Sequence, residues 1–317
     1  MKMVNVGLLG LGRHGRRYAD HLSRGDIPGA RLAGFWRRDA AAAAKDAEAL
    51  GISALPTPDA LIAAVDVVVV AVPASLHADL TLAAVAAERP VLLEKPIAPT
   101  AEAAQEIVRS GGWVMVSQTL RFDPLTVALQ QAFAEERLGR CVGFQFDQRL
   151  EPRGLAWEDD PETAGGGVLI QTGIHGIDAL RFISGGRRLA VRSAALGSVR
   201  GQRTEDHALL TLELGGVLGQ LSTSKIGGSR HHRFSLFFEQ GGLEADYIAR
   251  TLTEVRGRTR QVQSVPEVPT VVRSLSAFLE WVSGKRGSCP VAPADAAESL
   301  AVVLEAYAAQ RIGRSNT

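Results

Sequence analysis

Short apolar runs alternate with helix-like segments in the first third of the chain, and this alternation constrains the fold more than any other feature. The runs, rich in Val and Leu and bounded by Gly or Pro, lie at 4–9, 32–36, 67–72, 91–94 and 113–117. Ala-rich segments with charges three and four residues apart lie between them, at 16–24, 40–50, 75–87 and 100–109. The runs predict buried parallel strands, and the segments predict crossover helices with Ser75 and Thr100 as N-caps. Residues 1–120 are therefore expected to form a doubly wound parallel sheet.

Consecutive strand-like runs replace the alternation after residue 120. Strands are predicted at 141–149, 190–199, 208–214, 218–225, 234–239 and 251–262, and helices at 167–184, 268–283 and 294–311. The pairs Gly215-Gly216 and Gly241-Gly242 are typical of hairpin turns. This order indicates an α+β domain over residues 121–317, built on an antiparallel or mixed sheet. The last helix is expected to pack back onto the first domain.

Composition excludes several classes of protein. The 317 residues carry 35 Lys+Arg and 34 Asp+Glu, so 35 − 34 leaves a net charge of +1, which argues against a nucleic-acid partner. Two cysteines, Cys141 and Cys289, make neither a disulfide framework nor a cysteine zinc site. The most apolar stretch, 67–74, is far shorter than the roughly 20 residues that cross a membrane. We expect a cytoplasmic protein without a membrane partner, and no metal, because the His231–His232 pair has no carboxylate or cysteine at ligand spacing.

A glycine-rich turn follows the first predicted strand and opens a helix. Residues 10–15 read G-L-G-R-H-G, in which Gly10 permits a tight turn, Gly12 permits close approach of a pyrophosphate, and Gly15 permits close helix packing. Arg13 and His14 lie inside the turn, where the helix N-terminus attracts phosphates. The pattern predicts a dinucleotide site; the alternative is a structural turn without a ligand.

The end of the second predicted strand indicates which dinucleotide binds. NAD sites place an acid there for the ribose 2′-hydroxyl, whereas NADP sites place an arginine. Here Arg37 and Arg38 occupy that position, and two guanidinium groups suit a 2′-phosphate. We expect NADP to be preferred, with NAD possible; the alternative is a solvated basic pair.

Four further motifs, in order, resemble the glucose–fructose oxidoreductase / inositol dehydrogenase / MocA family. They are VVAVP at 69–73 with His77, EKP at 94–96, RFDP at 121–124 and GGGVLIQTGIHGID at 165–178. The likeness covers nearly the whole chain. It implies a Rossmann domain followed by a domain with an open sheet that often mediates oligomers, here a homodimer or homotetramer. It also implies pyridine-nucleotide chemistry on sugars, cyclitols or related polyols.

Lys95 is a candidate catalytic residue on physical grounds as well as by resemblance. It follows a predicted buried strand at the carboxyl edge of the sheet, where ligands bind in doubly wound folds. A lysine that is partly buried beside a nicotinamide cation has a lowered pKa and can exchange a proton with a substrate oxygen. The alternative is a surface lysine paired with a carboxylate.

Gln171 and His175 are the other candidate catalytic residues. They are four residues apart, so they share one face of a helix. The resemblance implies that both positions meet substrate hydroxyls and that His175 accepts the proton when an alcohol is oxidised. Gln171 departs from the family, which usually has Asp there, and a carboxamide cannot stabilise an imidazolium as a carboxylate does. Asp178 is expected to cap, to pair with Arg181 or to orient the helix.

The resemblance also places residues on the cofactor side of the site. They are Pro73, His77, Glu94, Lys95 and Arg121. His77 is expected to line the nicotinamide pocket or else to cap or pack, and Arg121 to position the edge of the site or else to form a structural salt bridge. The leading hypothesis is an NADP-dependent dehydrogenase or reductase; the alternatives are a nucleotide-dependent, glycosidase-like enzyme and a non-catalytic regulator that binds nucleotide and sugar.

Overall fold

The computed structural model describes residues 3–314. Residues 1–2 and 315–317, at the ends of the two predicted domains, lie outside that part. The chain folds into two compact units. The first contains residues 3–118 and Pro269–Ala297, and the second contains residues 119–268 and 298–314.

The first unit contains five strands and six helices, with the last helix of the chain beginning in it. The strands are β1 (Val4–Leu9), β2 (Ala30–Trp36), β3 (Val67–Val70), β4 (Val91–Glu94) and β5 (Val114–Ser117). The helices are α1 (Arg13–Ser23), α2 (Ala40–Leu50), α3 (Pro58–Ala64), α4 (His77–Ala86), α5 (Ala101–Arg109) and α9 (Thr270–Val282), and α10 (Pro293–Arg314) continues into the second unit.

All five strands of the first unit are parallel, in the order β2-β1-β3-β4-β5, which confirms the predicted parallel sheet. The order reverses between β1 and β3, and ligands bind at such a reversal in open α/β sheets. Every residue of β3, β4 and β5 is buried, because helices and neighbouring strands leave no face to water.

Of the helix starts in the first unit, one was predicted correctly, one was predicted at the wrong residue, and one belongs to a helix that was not predicted. Thr100 caps α5 as predicted, its hydroxyl accepting from the Ala103 amide at 3.2 Å. The prediction for Ser75 is wrong, because residues 74–76 form a 3-10 turn and Leu76 is the N-cap of α4. The sequence interpretation also missed α3, although Thr57 caps it and Pro58 opens it.

The second unit is built on one eight-stranded sheet. Its strands are β6 (Cys141–Arg149), β7 (Leu189–Gly197), β8 (His207–Leu214), β9 (Val217–Ser224), β10 (His231–Phe238), β11 (Gly241–Asp246), β12 (Thr251–Arg256) and β13 (Thr259–Ser264). Its helices are α6 (Pro124–Ala134), α7 (Pro161–Ala164), α8 (Ile174–Ile183) and the rest of α10. The order is β13-β12-β11-β10-β6-β9-β8-β7, antiparallel except for the β6–β9 pair. This confirms a mixed, largely antiparallel sheet.

Three details of the second unit correct the sequence interpretation. The predicted strand 251–262 is a hairpin, because Gly257 turns the chain with a φ of +58° between β12 and β13. Strand β11 and helix α6 were not predicted. Asp123 caps α6 through a 2.9 Å bond from the Leu125 amide, and Pro124 follows it, so the start signal was present in the sequence.

One face of the eight-stranded sheet packs on α8, and the other carries apolar side chains open to solvent. Phe146 lies against Gly176 of α8, and Leu221 lies near Gly173 just before that helix. The strand registers place Leu209, Leu218, Phe237 and Val262 on the opposite face. These four are between 43% and 65% exposed. The open face thus exposes apolar surface to solvent.

His232, on the covered face, makes the stability of the protein depend on pH. Its ring stacks on Tyr247 with centroids 4.2 Å apart and meets the edge of Phe146. Burial lowers its pKa to about 3, with His231 and Arg250 adding to the shift and Asp246 opposing it. In the unfolded state the His232 side chain has an ordinary pKa near 6.5. Between pH 6.5 and 3 the unfolded state therefore binds a proton at His232 that the folded state does not bind.

Stability should therefore fall as the pH falls through this window, by about 1.4 kcal/mol per pH unit from His232. We expect His232→Phe to flatten the curve of unfolding free energy against pH between 6 and 4, measured by urea denaturation. His21→Gln, a change at a partly buried histidine on α1 that contacts Asp26 at the surface, serves as the control. Parallel curves for the wild type and His232→Phe would contradict the assignment.

No helix among residues 3–314 is long and apolar enough to cross a bilayer. Within the same residues, no group of three or more His, Cys, Asp or Glu side chains is arranged to hold a metal ion.

Candidate nucleotide and substrate sites

The glycine turn after β1 is shaped for close approach to a ligand. Gly10 has a φ of +97°, and a Cβ there would run into the Ala71 carbonyl and the Val72 side chain. A Cβ at Gly15 would overlap the Gly10 carbonyl oxygen, so α1 packs directly on the turn. Gly12 is the N-cap of α1 and provides no side-chain cap for the amides of the first helical turn. Such amides bind phosphate, and the turn therefore fits the pyrophosphate of a dinucleotide.

The arginines after β2 lie in different surroundings. Arg37 donates to the Asp46 carboxylate at 2.5 Å, and its side chain is partly exposed. Arg38 and Arg13 are exposed, while His14 is half-buried. Asp46, which the sequence interpretation did not single out, also accepts from Arg16. The structure thus pairs Arg37 with an acid and leaves Arg38 at the surface.

Lys95 lies at the end of β4, half-buried, next to a buried chain of polar groups. The Glu94 carboxylate accepts from the Tyr18 hydroxyl at 2.8 Å and from the Lys95 amide at 3.3 Å. The Tyr18 hydroxyl also bonds Ser117 at 2.9 Å. Burial, together with the Glu94 charge, raises the pKa of Tyr18 well above its ordinary value, so it stays a neutral donor. These contacts fix the backbone from which Lys95 extends.

His77 bridges two loops at the carboxyl edge of the first sheet. Its Nδ1 lies 2.7 Å from the Pro96 carbonyl oxygen and its Nε2 lies 3.0 Å from the Val72 carbonyl oxygen. The residue is 1% exposed. Burial lowers its pKa, so the ring is neutral near pH 7 and donates through one nitrogen only. His77 therefore holds the Val72–Pro73 segment against the turn after Lys95, and its predicted contact with nicotinamide remains a prediction.

Gln171 is held by three hydrogen bonds within the second unit. It lies in a wide helical turn, Leu169–Gly173, that leads into α8, and His175 follows on α8 and is half-buried. The Gln171 amide nitrogen donates to the carbonyls of Glu158 and Gly166, both at 2.8 Å. Its oxygen accepts from the Lys225 ammonium at 2.6 Å. A carboxylate could not make the two donor contacts, so this arrangement suits a carboxamide.

Lys225 is a polar residue of this site that sequence reasoning missed. It follows β9, its side chain is only 9% exposed, and it also contacts the Glu158 carboxylate at 3.3 Å. Burial lowers the pKa of Lys225, and the Glu158 charge offsets part of that shift. Together with Gln171 and Arg200 it lines a small pocket that is open to solvent. Lys225 and Gln171 are not separated by a spacing typical of any motif, so nothing in the sequence indicates that Lys225 belongs to this site.

The glycine run before α8 is explained by the Glu205 carboxylate. That group accepts from the amides of Gly167 and Leu169 at 2.9 and 3.0 Å and from the Tyr307 hydroxyl at 2.8 Å. A Cβ at Gly167 would overlap the Glu205 backbone. The run thus lets an acid approach the amides at the start of the helical segment, where negative charge is favourable.

Arg121 and Asp178 form a buried ion pair. Arg121 donates through Nε and Nη2 to the two Asp178 oxygens at 2.8 and 2.7 Å, and Ser299 adds a bond at 3.1 Å. The pair is the structural salt bridge considered for Arg121. Of the three roles expected for Asp178, it fits orientation of the helix, and Arg121 takes the place of Arg181 as the partner. This pair fixes α8, the helix that carries His175.

Comparison with known proteins gives matches over most of the chain. A model described as "Oxidoreductase family, NAD-binding Rossmann fold" matches residues 4–111, and a model described as "GFO/IDH/MocA C-terminal domain" matches residues 126–244.

Three individual proteins illustrate how similar the chain is to known relatives. The chain is 31% identical to an inositol 2-dehydrogenase of Rubrobacter xylanophilus over 71% of its length, which spans 66% of that relative, just under two thirds. It is 26% identical to a UDP-N-acetylglucosamine 3-dehydrogenase of Acidithiobacillus ferrooxidans over 84% of its length and 81% of the relative. The aldose-aldose oxidoreductase of Caulobacter crescentus has the same fold, with a TM-score of 0.87 at 22% identity, covering 98% of both chains.

Proposed function

The chain belongs to the GFO/IDH/MocA family of oxidoreductases, and we propose that it is an NADP-dependent enzyme acting on a sugar, cyclitol or related polyol. In this proposal a hydride passes between the nicotinamide and a secondary alcohol or ketone of the substrate. The observation that carries it is the glycine turn at the strand-order reversal, where the chain packs too closely for side chains at Gly10 and Gly15 and leaves open space beside Gly12.

The chain's own residues would bind the nucleotide and move the proton. The amides after Gly12 would bind the pyrophosphate, and Arg37 with Arg38 would bind the 2′-phosphate. The bound nicotinamide would supply the hydride acceptor at C4. His175 would take the hydroxyl proton of an alcohol substrate, and Lys95 would donate to the substrate oxygen. Gln171, whose amide groups are already bonded, would position the Glu158 loop together with Lys225.

The proposal is tested by mixing the protein with NADP and a panel of polyols and following the absorbance band of the reduced nicotinamide. A rise that depends on both components supports hydride transfer. Sugar release without net reduction would instead favour the glycosidase-like alternative.

A regulator is a second candidate, and the Gln171 side chain is the observation that favours it. The carboxamide supplies no charge to stabilise an imidazolium at His175, and its polar atoms are engaged by other parts of the unit. A regulator would bind nucleotide and sugar without turnover. Saturable binding of both by calorimetry, with no absorbance change across the panel, would establish this candidate.

Arg37→Asp is expected to shift the cofactor preference from NADP towards NAD. The variant replaces a 2′-phosphate ligand by an acceptor for the 2′-hydroxyl, so the NADPH Kd should rise by about tenfold to a hundredfold while the NADH Kd falls or stays equal. Fluorescence titration with both nucleotides measures this. Arg31→Asp, at an exposed arginine early in β2, is the charge-matched control. An unchanged NADPH/NADH ratio in Arg37→Asp would remove Arg37 from the cofactor site.

The open face of the eight-stranded sheet suits a second copy of the chain. Leu209, Leu218 and Phe237 expose apolar surface there, beside charged side chains such as Arg233 and Glu244. We include a homodimer or homotetramer through this face in the proposal. Sedimentation of the wild type and of Leu218→Lys distinguishes it from a monomer.

A further inference from the structure

Asp46 joins two arginines that come from different parts of the first unit. Its carboxylate, on α2, is largely buried, and the residue is 8% exposed. One oxygen accepts from the Arg16 guanidinium and the other from the Arg37 guanidinium. A carboxylate that is shared in this way holds both long side chains in one arrangement.

The two arginines extend from the two segments that border the proposed nucleotide site. Arg16 directly follows Gly15, the third glycine of the turn, and Arg37 directly follows the end of β2. In dinucleotide-binding sheets the adenosine ribose lies between these two segments. The Arg16 and Arg37 side chains are 37% and 35% exposed, so part of each faces water.

The charge of this cluster remains positive after the acid is counted. Arg16 and Arg37 contribute +2 and Asp46 contributes −1, which leaves +1. A guanidinium has five N–H donors, and each contact with Asp46 uses one of them. Both groups therefore keep donors for a second anion, and a 2′-phosphate has oxygens to accept from both.

We propose that Arg16 is a second ligand of the NADP 2′-phosphate beside Arg37, and that Asp46 is the positioning residue that orients both. This inference rests on the proposed NADP-dependent function. Asp46 orders the two side chains before the nucleotide arrives, so less rotamer freedom is lost on binding. The competing explanation is that the cluster only fastens α1 and β2 to α2.

The test uses the full chain and measures Kd for NADPH, NADH, 2′,5′-ADP and 5′-AMP by calorimetry. Arg16→Ala should weaken NADPH and 2′,5′-ADP by about tenfold to a hundredfold, the range for a charged hydrogen bond, and leave NADH and 5′-AMP unchanged. Arg17→Ala is the matched control, since Arg17 is the exposed neighbour on the same helix. Its effect should stay below about threefold.

Asp46→Asn gives an independent readout of the positioning role. The variant keeps the size of the side chain but replaces one of the two acceptor oxygens by an NH2 donor, so one of the two guanidinium contacts is lost. We expect a several-fold weaker NADPH Kd with an unchanged NADH Kd. Thermal unfolding of each variant shows whether it is folded.

The outcomes separate this inference from the proposed function. A folded Arg16→Ala whose NADPH/NADH ratio matches the wild type would overturn the inference and leave nucleotide binding intact. A tighter or unchanged NADPH Kd in Asp46→Asn would overturn the role of Asp46. If the wild type bound neither nucleotide, the proposed function and the inference would both be wrong.

Discussion

Lys95→Ala and His175→Ala are each expected to lower kcat for hydride transfer by about a hundredfold to ten-thousandfold, the usual contribution of a general acid or base. The reason is that, in the proposed mechanism, each variant removes a side chain that exchanges a proton with the reacting oxygen. The nucleotide Kd should change little, because the glycine turn and Arg37 remain. Turnover on the polyol that gives the largest signal, with titration of the nucleotide, measures both quantities.

Two controls make this result specific. Lys45→Ala changes an exposed lysine on α2 and should keep the wild-type kcat. His175→Gln keeps a hydrogen-bonding side chain of similar size but cannot accept a proton near neutral pH, so its kcat should fall nearly as far as that of His175→Ala. Wild-type turnover in either alanine variant would remove that residue from the mechanism.

Asp178→Ala is expected to destabilise the protein by about 3–5 kcal/mol, because it leaves the Arg121 guanidinium buried without its anion. The pair is shielded, with the Arg121 side chain 9% exposed and that of Asp178 1% exposed. The loss should appear as a lower midpoint in urea denaturation. It should also lower activity, since α8 carries both Asp178 and His175.

The double variant Arg121→Met/Asp178→Leu tests the cause of this loss. Replacing both charges by apolar groups removes the buried, unpaired guanidinium, so the double variant should be more stable than Asp178→Ala. Asp59→Ala, in the exposed first turn of α3, should cost less than about 1 kcal/mol. Equal stability of Asp178→Ala and Asp59→Ala would show that the pair contributes little.

The parallel sheet of the first unit could be predicted because its strands are buried on both faces. Such strands are continuous apolar runs, as at Val67–Val70, and Gly or Pro marks their ends. The prediction of an NADP site also used only local information, namely Gly10–Gly15 and the arginines after β2.

Helices and strands were harder to predict where their sequence pattern is weak or fits more than one type of structure. Helix α6 begins with Asp123 and Pro124, which also begin turns, and its apolar residues lie within a region otherwise rich in strands. Strands β12 and β13 are short and polar, so Gly257 was the only sign of the turn between them. Local patterns at these places suit more than one structure, and packing decides among them.

The sequence by itself determined the parallel sheet, the glycine turn and the candidates Lys95, Gln171 and His175, because their signals come from neighbouring residues. Only the tertiary structure decided their partners. Lys225 reaches Gln171 across 54 positions, and Arg121 reaches Asp178 across 57. A charged residue in a sequence has many possible partners. The fold brings one of them close, and a pair must form because an unpaired charge is costly to bury.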